Sequence, residues 1–165
     1  MDEARFGRIN DPRRCWAPPG CRPVVKRQAV REYTYAYGAA CPRTGSFDAL
    51  ILPDIRTACL ERFLVELSRR HADTHILLWA DGAGSHKAQA LTVPANLTLK
   101  HLPPYSPELN PVENLWDELR EKTFKNLAFD SLDAVEDTLA QGLRRLEKTP
   151  DIVRSITAFP WIVSH

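Results

Sequence analysis

The chain has 165 residues, of which 44% are hydrophobic and 26% charged, with a formal net charge of +1. That length and balance suit one globular domain with a real core. Near-neutral charge argues against a generic nucleic-acid coat, and no apolar run approaches the length of a membrane-spanning helix. The opening Met-Asp-Glu-Ala-Arg is charged and unlike a secretory signal. Cys15, Cys21, Cys41 and Cys59 include no Cys-x-x-Cys pair, so they read as reduced thiols of a cytoplasmic protein, with no zinc site among them.

Residues 1–31 carry eight basic and three acidic side chains, a local +5, and the remainder carries a local −4. A basic segment beside an acidic body fits a phosphate-contacting edge next to a carboxylate cluster, and equally a solvated arginine-rich surface. Arg13, Arg14, Lys26 and Arg27 are the candidate DNA contacts. Asp11-Pro12, Pro18-Pro19-Gly20 and Arg22-Pro23 are turn signals, and only Cys15–Ala17 and Val24-Val25 offer short strand pieces. The segment is otherwise expected to be irregular.

Tyr33 to Ala40 alternates tyrosines with small residues, which predicts a strand with one aromatic face. That face reads as core or sheet surface in preference to a base-stacking platform. Pro42 to Gly45 turns the chain, and Phe47 to Leu52 returns as the partner of an antiparallel hairpin. Asp54 is placed to cap a helix running to about Arg70, with Leu60, Phe63, Leu64 and Leu67 inside. Thr74 to Ala80 is a near-continuous apolar run, as expected of a central strand buried on both faces. It stops at Asp81, followed by a glycine turn. A carboxylate at the carboxyl end of such a strand is where open α/β sheets hold ligands, and the bland alternative is a turn-forming Asp. His86 reads equally as a phosphate- or metal-orienting residue and as the start of a short helix into Ala90.

Leu97 to Leu102 alternates and predicts another strand. It leads into a proline-rich clamp at Pro103, Pro104 and Pro107. Asn110 is a good N-cap, Pro111 suits the first helical position, and Val112, Leu115, Trp116 and Leu119 make one apolar stripe. Glu113 borders that stripe, either as a capping-box residue or as a carboxylate delivered by a rigid clamp to a helix edge. Asp117 follows one turn later on the same flank. Ser131 caps a long amphipathic helix to Lys148, ended by Thr149-Pro150. The C-terminal part, 131–165, is read as helical, with a tail from 149 that the pattern does not place.

Asn110-Pro-Val-Glu-Asn-Leu-Trp116, preceded by Pro103-Pro-Tyr-Ser-Pro-Glu-Leu109, resembles the third-carboxylate motif of DDE transposases, in the branch shared by mariner-like elements and a group of bacterial insertion sequences. Asp81 with His86 resembles the second motif, although Gly82 stands where the family usually has Asn. Asp2, with the Trp16 to Gly20 turn behind it, resembles the first-carboxylate region, except that the apolar residues expected ahead of Asp2 are absent. The resemblance covers about three quarters of the chain. It implies an α/β, ribonuclease H-like fold with a mixed central sheet flanked by helices, here with the first strand largely missing, in a single catalytic domain over 1–165.

The same resemblance implies that Asp2, Asp81 and Glu113 are the catalytic and metal-binding carboxylates, with His86 as auxiliary. Glu108 and Asp117 are reserve carboxylates that do not sit at the motif position. Two Mg²⁺ ions, replaceable by Mn²⁺, would serve DNA strand cleavage and strand transfer at the ends of a bacterial insertion sequence. The implied partners are DNA, an upstream helix-turn-helix part that these residues lack, and a second copy. The competing expectation is a truncated, inactive remnant that only binds DNA or a full-length partner. An unrelated α/β binding domain would make all three motifs coincidence.

Overall fold

The computed structural model describes residues 1–10, 12–81, 91–104 and 106–163. Three antiparallel strands, β1 (Asp2–Ile9), β2 (Ala29–Cys41) and β3 (Ser46–Leu52), form one sheet in the order β1-β2-β3. Helix α1 (Thr57–Arg70) leads to β4 (Ile76–Ala80), which pairs in parallel with β5 (Leu97–His101). A short 3-10 turn at Pro107–Leu109 precedes α2 (Val112–Lys122). Then come α3 (Leu132–Glu147), α4 (Pro150–Thr157) and α5 (Pro160–Val163). The Met1 amino group donates to the Trp79 carbonyl, so the start of β1 lies against the end of β4.

The first strand, expected to be largely missing, is present. Asp2–Ile9 is an eight-residue strand paired with β2 from Asp2 opposite Gly38 to Ile9 opposite Ala29. Its period-2 signal is weak in the sequence because the inward residues are Asp2, Ala4 and Phe6, only one of them large. The irregular part of the basic segment is therefore the excursion between β1 and β2. The strand pieces expected at Cys15–Ala17 and Val24-Val25 do not form. Those residues have no ladder partner, and Trp16 and Val24 are fully solvent-exposed.

Both faces of the three-stranded sheet are covered. On one, Ala4, Phe6, Ala36, Phe47 and Ala49 meet Val112, Leu115, Trp116 and Leu119 of α2, Val135, Leu139, Leu143 and Leu146 of α3, and Val153 of α4. On the other, Tyr37 and Ala39 meet Leu60, Phe63, Leu64 and Leu67 of α1 together with Leu78, Ala80 and Leu97. The tyrosine face is core where it matters most, since Tyr37 is wholly buried and its ring centroid lies 5.7 Å from that of Phe63.

Two local expectations are corrected. Asp54 does not cap α1: the residue before that helix is Arg56, and Asp54 instead accepts from the Arg56 N–H at 2.9 Å, shaping the turn ahead of it. Strand β4 is not buried on both faces, because Leu77 and Trp79 point away from α1 and remain 55% and 48% exposed. Elsewhere the capping logic holds, with Ser131 Oγ accepting from the Ala134 N–H at 3.1 Å. Pro150 ends α3 as expected and also opens α4 at its first turn.

Candidate active site

The three proposed carboxylates come from three elements: Asp2 from the first position of β1, Asp81 from the residue after β4, and Glu113 from the first turn of α2. Asn110 anchors the last of these. It is buried, its Oδ1 accepts from the Val112 N–H at 3.3 Å, and its Nδ2 donates to the Met1 carbonyl at 3.4 Å. Asn110 thus caps α2 and ties the start of that helix to the start of β1. Pro111 has helical backbone angles and fits the first-turn role expected of it. Among the described residues no capping side-chain bond runs from Glu113 back to Asn110, and Glu113 stays exposed at the helix edge.

Asp2 is only 5% exposed, and its Oδ2 accepts from the Trp116 indole N–H at 2.8 Å. Burial, then the charge of Glu113, push its carboxyl up to about 7, against a smaller opposing effect of the Trp116 hydrogen bond. Asp2 and Glu113 are therefore close enough to repel. Burial holds the Met1 amino group down at about 6, partly offset by Asp2, Glu3 and Asp81. Asp81, exposed past the end of β4, is felt at Met1.

The structure thus brings Asp2 and Glu113 together and leaves Asp81 at the edge of the same region. Among the described residues, no three His, Cys, Asp or Glu side chains are gathered closely enough to hold a metal ion. The donor chemistry nevertheless fits a hard divalent cation. The side chains are carboxylates, one of them is buried against its neighbour's charge, and one or two carboxylates per ion suffice when water and phosphate complete the shell. His86 lies outside the described residues. Of the reserve carboxylates, Glu108 is exposed, and Asp117 pairs with Arg120 at 3.4 Å on the outward side of α2.

Of the candidate DNA contacts, Arg13 is engaged in structure. Its guanidinium pairs with Glu121 at 2.9 Å, and its backbone exchanges hydrogen bonds with Asn126. Arg14, Lys26 and Arg27 are exposed on the excursion. The base of that excursion is pinned to the α2–α3 connection: Asn10 bonds the Lys26 and Leu127 carbonyls, and Gln28 bonds both backbone groups of Phe129. The sequence reading missed His101, whose Nδ1 lies 3.3 Å from the Asp81 carbonyl oxygen at the end of the neighbouring strand. The parallel register of β4 with β5, which sets Ala80 opposite His101, brings it there, and neither strand's local pattern reveals that pairing. It also missed the bond from Trp116 to Asp2, because an apolar stripe does not reveal which member carries a polar duty.

Residues 1–136 match the model of a family described as DDE superfamily endonucleases. The uncharacterized protein y4pE/y4sA of Sinorhizobium fredii (strain NBRC 101917 / NGR234) is 38% identical over 130 residues, covering 78% of this chain and 96% of that protein. Among solved structures, the Mos1 transposase paired-end complex with left transposon end superposes with a TM-score of 0.60 at 18% identity, over 95% of this chain and 54% of that one. The Mos1 mariner paired end complex with Mn gives 0.58 at 18% identity, over 94% and 53%. This chain therefore has the ribonuclease H-like fold of the Mos1 catalytic region and spans about half the length of the Mos1 chains.

Proposed function

The chain belongs to the DDE superfamily endonuclease family, and from that premise we propose that it is the catalytic part of a bacterial insertion-sequence transposase, cutting DNA at element ends and joining the freed 3′-hydroxyls to target DNA. The observation that carries this reading is the buried Asp2 carboxylate set against Glu113, beside the strand end that bears Asp81. The relative in Sinorhizobium fredii fits the bacterial part of this reading. Two Mg²⁺ ions, or Mn²⁺ in their place, would supply activation of the attacking oxygen and stabilisation of the leaving one at the phosphodiester. Asp2, Asp81 and Glu113 would hold them. Asn110 keeps the helix carrying Glu113 against the strand carrying Asp2. His86 would orient a phosphate or a bound water.

The partner is DNA, met by Arg14, Lys26 and Arg27 on the exposed excursion, with Arg13 holding that excursion to α2. Recognition of element ends falls to an upstream helix-turn-helix part, in the same or a separate chain, and the catalytic unit works as a pair. The free thiols fit a cytoplasmic protein, and among the described residues no helix is long and apolar enough to cross a membrane.

A second reading, a remnant that binds DNA or a full-length partner without cutting, is favoured by one observation: among the described residues Asp2, Asp81 and Glu113 are not gathered as a group that could hold a metal ion. The test is cleavage of a DNA carrying the element ends. Mg²⁺- or Mn²⁺-dependent cutting that falls to background in Asp2→Asn, Asp81→Asn and Glu113→Gln supports the enzyme. Metal-independent DNA binding with no cutting under any of these conditions supports the remnant.

A further inference from the structure

We propose that Trp116 is a positioning residue for the Asp2 carboxylate, fixing it so that Asp2 and Glu113 meet a divalent cation as a preset pair; this rests on the metal-binding reading above. The hydrogen bond from Trp116 Nε1 to Asp2 Oδ2 is 2.8 Å long, between residues 0% and 5% exposed. A buried indole N–H needs an acceptor, and a backbone carbonyl would serve. A carboxylate is the costlier choice, because burying an ionisable group without a full set of partners is unfavourable. Core stability alone therefore does not account for this pair.

The indole is held on several sides by the strands. Phe6 of β1 and Phe47 of β3 meet it edge-on, with centroids 6.3 and 6.2 Å away and interplanar angles of 76° and 69°. Beneath it is Gly38 of β2, the residue paired with Asp2 across the sheet. A Cβ at Gly38 would lie 2.6 Å from Trp116 Cη2 and 2.9 Å from Phe47 Cε2, so only glycine lets the ring come down to the level of Asp2. All three strands of the sheet thus shape one slot, and the slot aims one N–H at one carboxylate oxygen.

Glu113 and Trp116 are three residues apart on α2 and so share a face. A single helix edge delivers the second carboxylate and orients the first. Hydrogen-bonded support of a ligating carboxylate sets its direction and sharpens its affinity for metal, and a site of this kind needs its ligands held to about 0.5 Å. Asp117, one turn on from Glu113, receives no such support and pairs with Arg120 instead.

The test is Mn²⁺ binding by the full chain, read as free Mn²⁺ by electron paramagnetic resonance. Trp116→Phe removes the N–H together with ring volume. Replacement of Trp116 by benzothienylalanine removes the N–H and keeps the bicyclic shape, so folding is preserved where the Phe variant loses it. The expected result is Mn²⁺ binding weakened about 10- to 100-fold in both, with the near-ultraviolet circular dichroism of the isosteric variant unchanged. Unchanged Mn²⁺ affinity in the isosteric variant, while Asp2→Asn and Glu113→Gln both weaken binding, overturns the positioning role alone. Unchanged affinity in Asp2→Asn overturns the metal-binding reading, and the role of Trp116 with it.

Discussion

Asp2 and Asp81 both act on the charge of Met1, yet they rest on unequal foundations. Asp2 stands on a strand paired along its length, beneath a helix whose Val112, Leu115, Trp116 and Leu119 are 1% exposed or less. Asp81 follows a strand whose outward Leu77 and Trp79 are about half exposed, and which meets the start of β1 through the hydrogen bond from the Met1 amino group to Trp79 and the packing of Met1 in the cluster of Leu78 and Ala80. One part of the proposed site is therefore built into a core, and the other sits at its rim. A packed core holds a carboxylate in place before any ligand arrives. A rim residue reaches its working position only when a ligand repays the movement. On this view Asp2 and Glu113 would hold a divalent cation from preset positions, and Asp81 would join them from the rim.

The largest effects should separate these two foundations. Phe47→Ala removes a ring packed on Trp116 and should cost about 3–5 kcal/mol in urea unfolding. Leu77→Ala trims a side chain that is 55% exposed and should change stability by about 0.5 kcal/mol or less. Comparable losses in the two variants would mean that the outward face of β4 is covered in solution, and the contrast between core and rim would go.

A somewhat smaller effect is expected from pH. The Asp2 carboxyl is raised from 3.8 to about 7, so the folded state binds its proton more tightly than the unfolded chain does. The stability this contributes is fully present below pH 4 and is lost as pH rises through about 7, up to about 4 kcal/mol at roughly 1.4 kcal/mol per pH unit. The Met1 amino group is lowered from 8.0 to about 6 and acts in the opposite sense, its contribution present above pH 8 and lost as pH falls through 6. Metal-free melting temperature should therefore decline between pH 4 and 6, level off between 6 and 7 where the two groups cancel, and recover between 7 and 8. Asp2→Asn should flatten the decline, because the amide oxygen still accepts from Trp116 without carrying charge, and it should also remove stabilisation by added Mg²⁺. A wild-type melting temperature that does not change over this range would place Asp2 in water, not in the core.

DNA binding sharpens the comparison on the excursion between β1 and β2. Replacing Arg14, Lys26 and Arg27 together should reduce the slope of log K against log salt by up to about 2.7, or roughly 0.9 for each lost phosphate contact. Arg13→Ala should leave that slope nearly unchanged, since Arg13 is paired with Glu121, while loosening the base of the excursion. A slope reduced by Arg13→Ala as much as by any of the exposed residues would mean that the ion pair opens to receive phosphate.

Which features were legible in the sequence follows from how each residue is held. Period and capping rules found the β2–β3 hairpin, the α2 stripe and the Ser131 cap, because local patterns set those elements. The first strand was hidden, since its inward positions hold an aspartate and an alanine ahead of its one large apolar residue, Phe6. Continuous apolarity in β4 was read as burial on both faces, and the exposed Leu77 and Trp79 show that composition alone does not establish a covering layer. Only the resemblance to the DDE motifs, and no local pattern, named Asp2 and Glu113 as members of one site. The partners that make Asp2 unusual, Trp116 and Gly38, lie 114 and 36 positions away in the chain and meet it only through strand register and helix packing.

The smallest expected effect lies on α2 itself, where two carboxylates one turn apart make a comparison free of differences in backbone. Glu113 borders the buried Asp2 and raises its carboxyl. Asp117 is 69% exposed in its side chain and meets Arg120 at 3.4 Å, the kind of surface pair that adds little to stability. Asp117→Asn should therefore shift unfolding by about 0.5 kcal/mol or less and leave metal-dependent cleavage and Mn²⁺ affinity at wild-type levels, in contrast with Glu113→Gln. The two substitutions each remove one charge at nearly constant shape, so a difference between them reports position alone. Cleavage that survives Glu113→Gln and vanishes in Asp117→Asn would transfer the ligand role one turn along the helix. It would also uncouple that role from Trp116, whose place on the helix was argued from its pairing with Glu113.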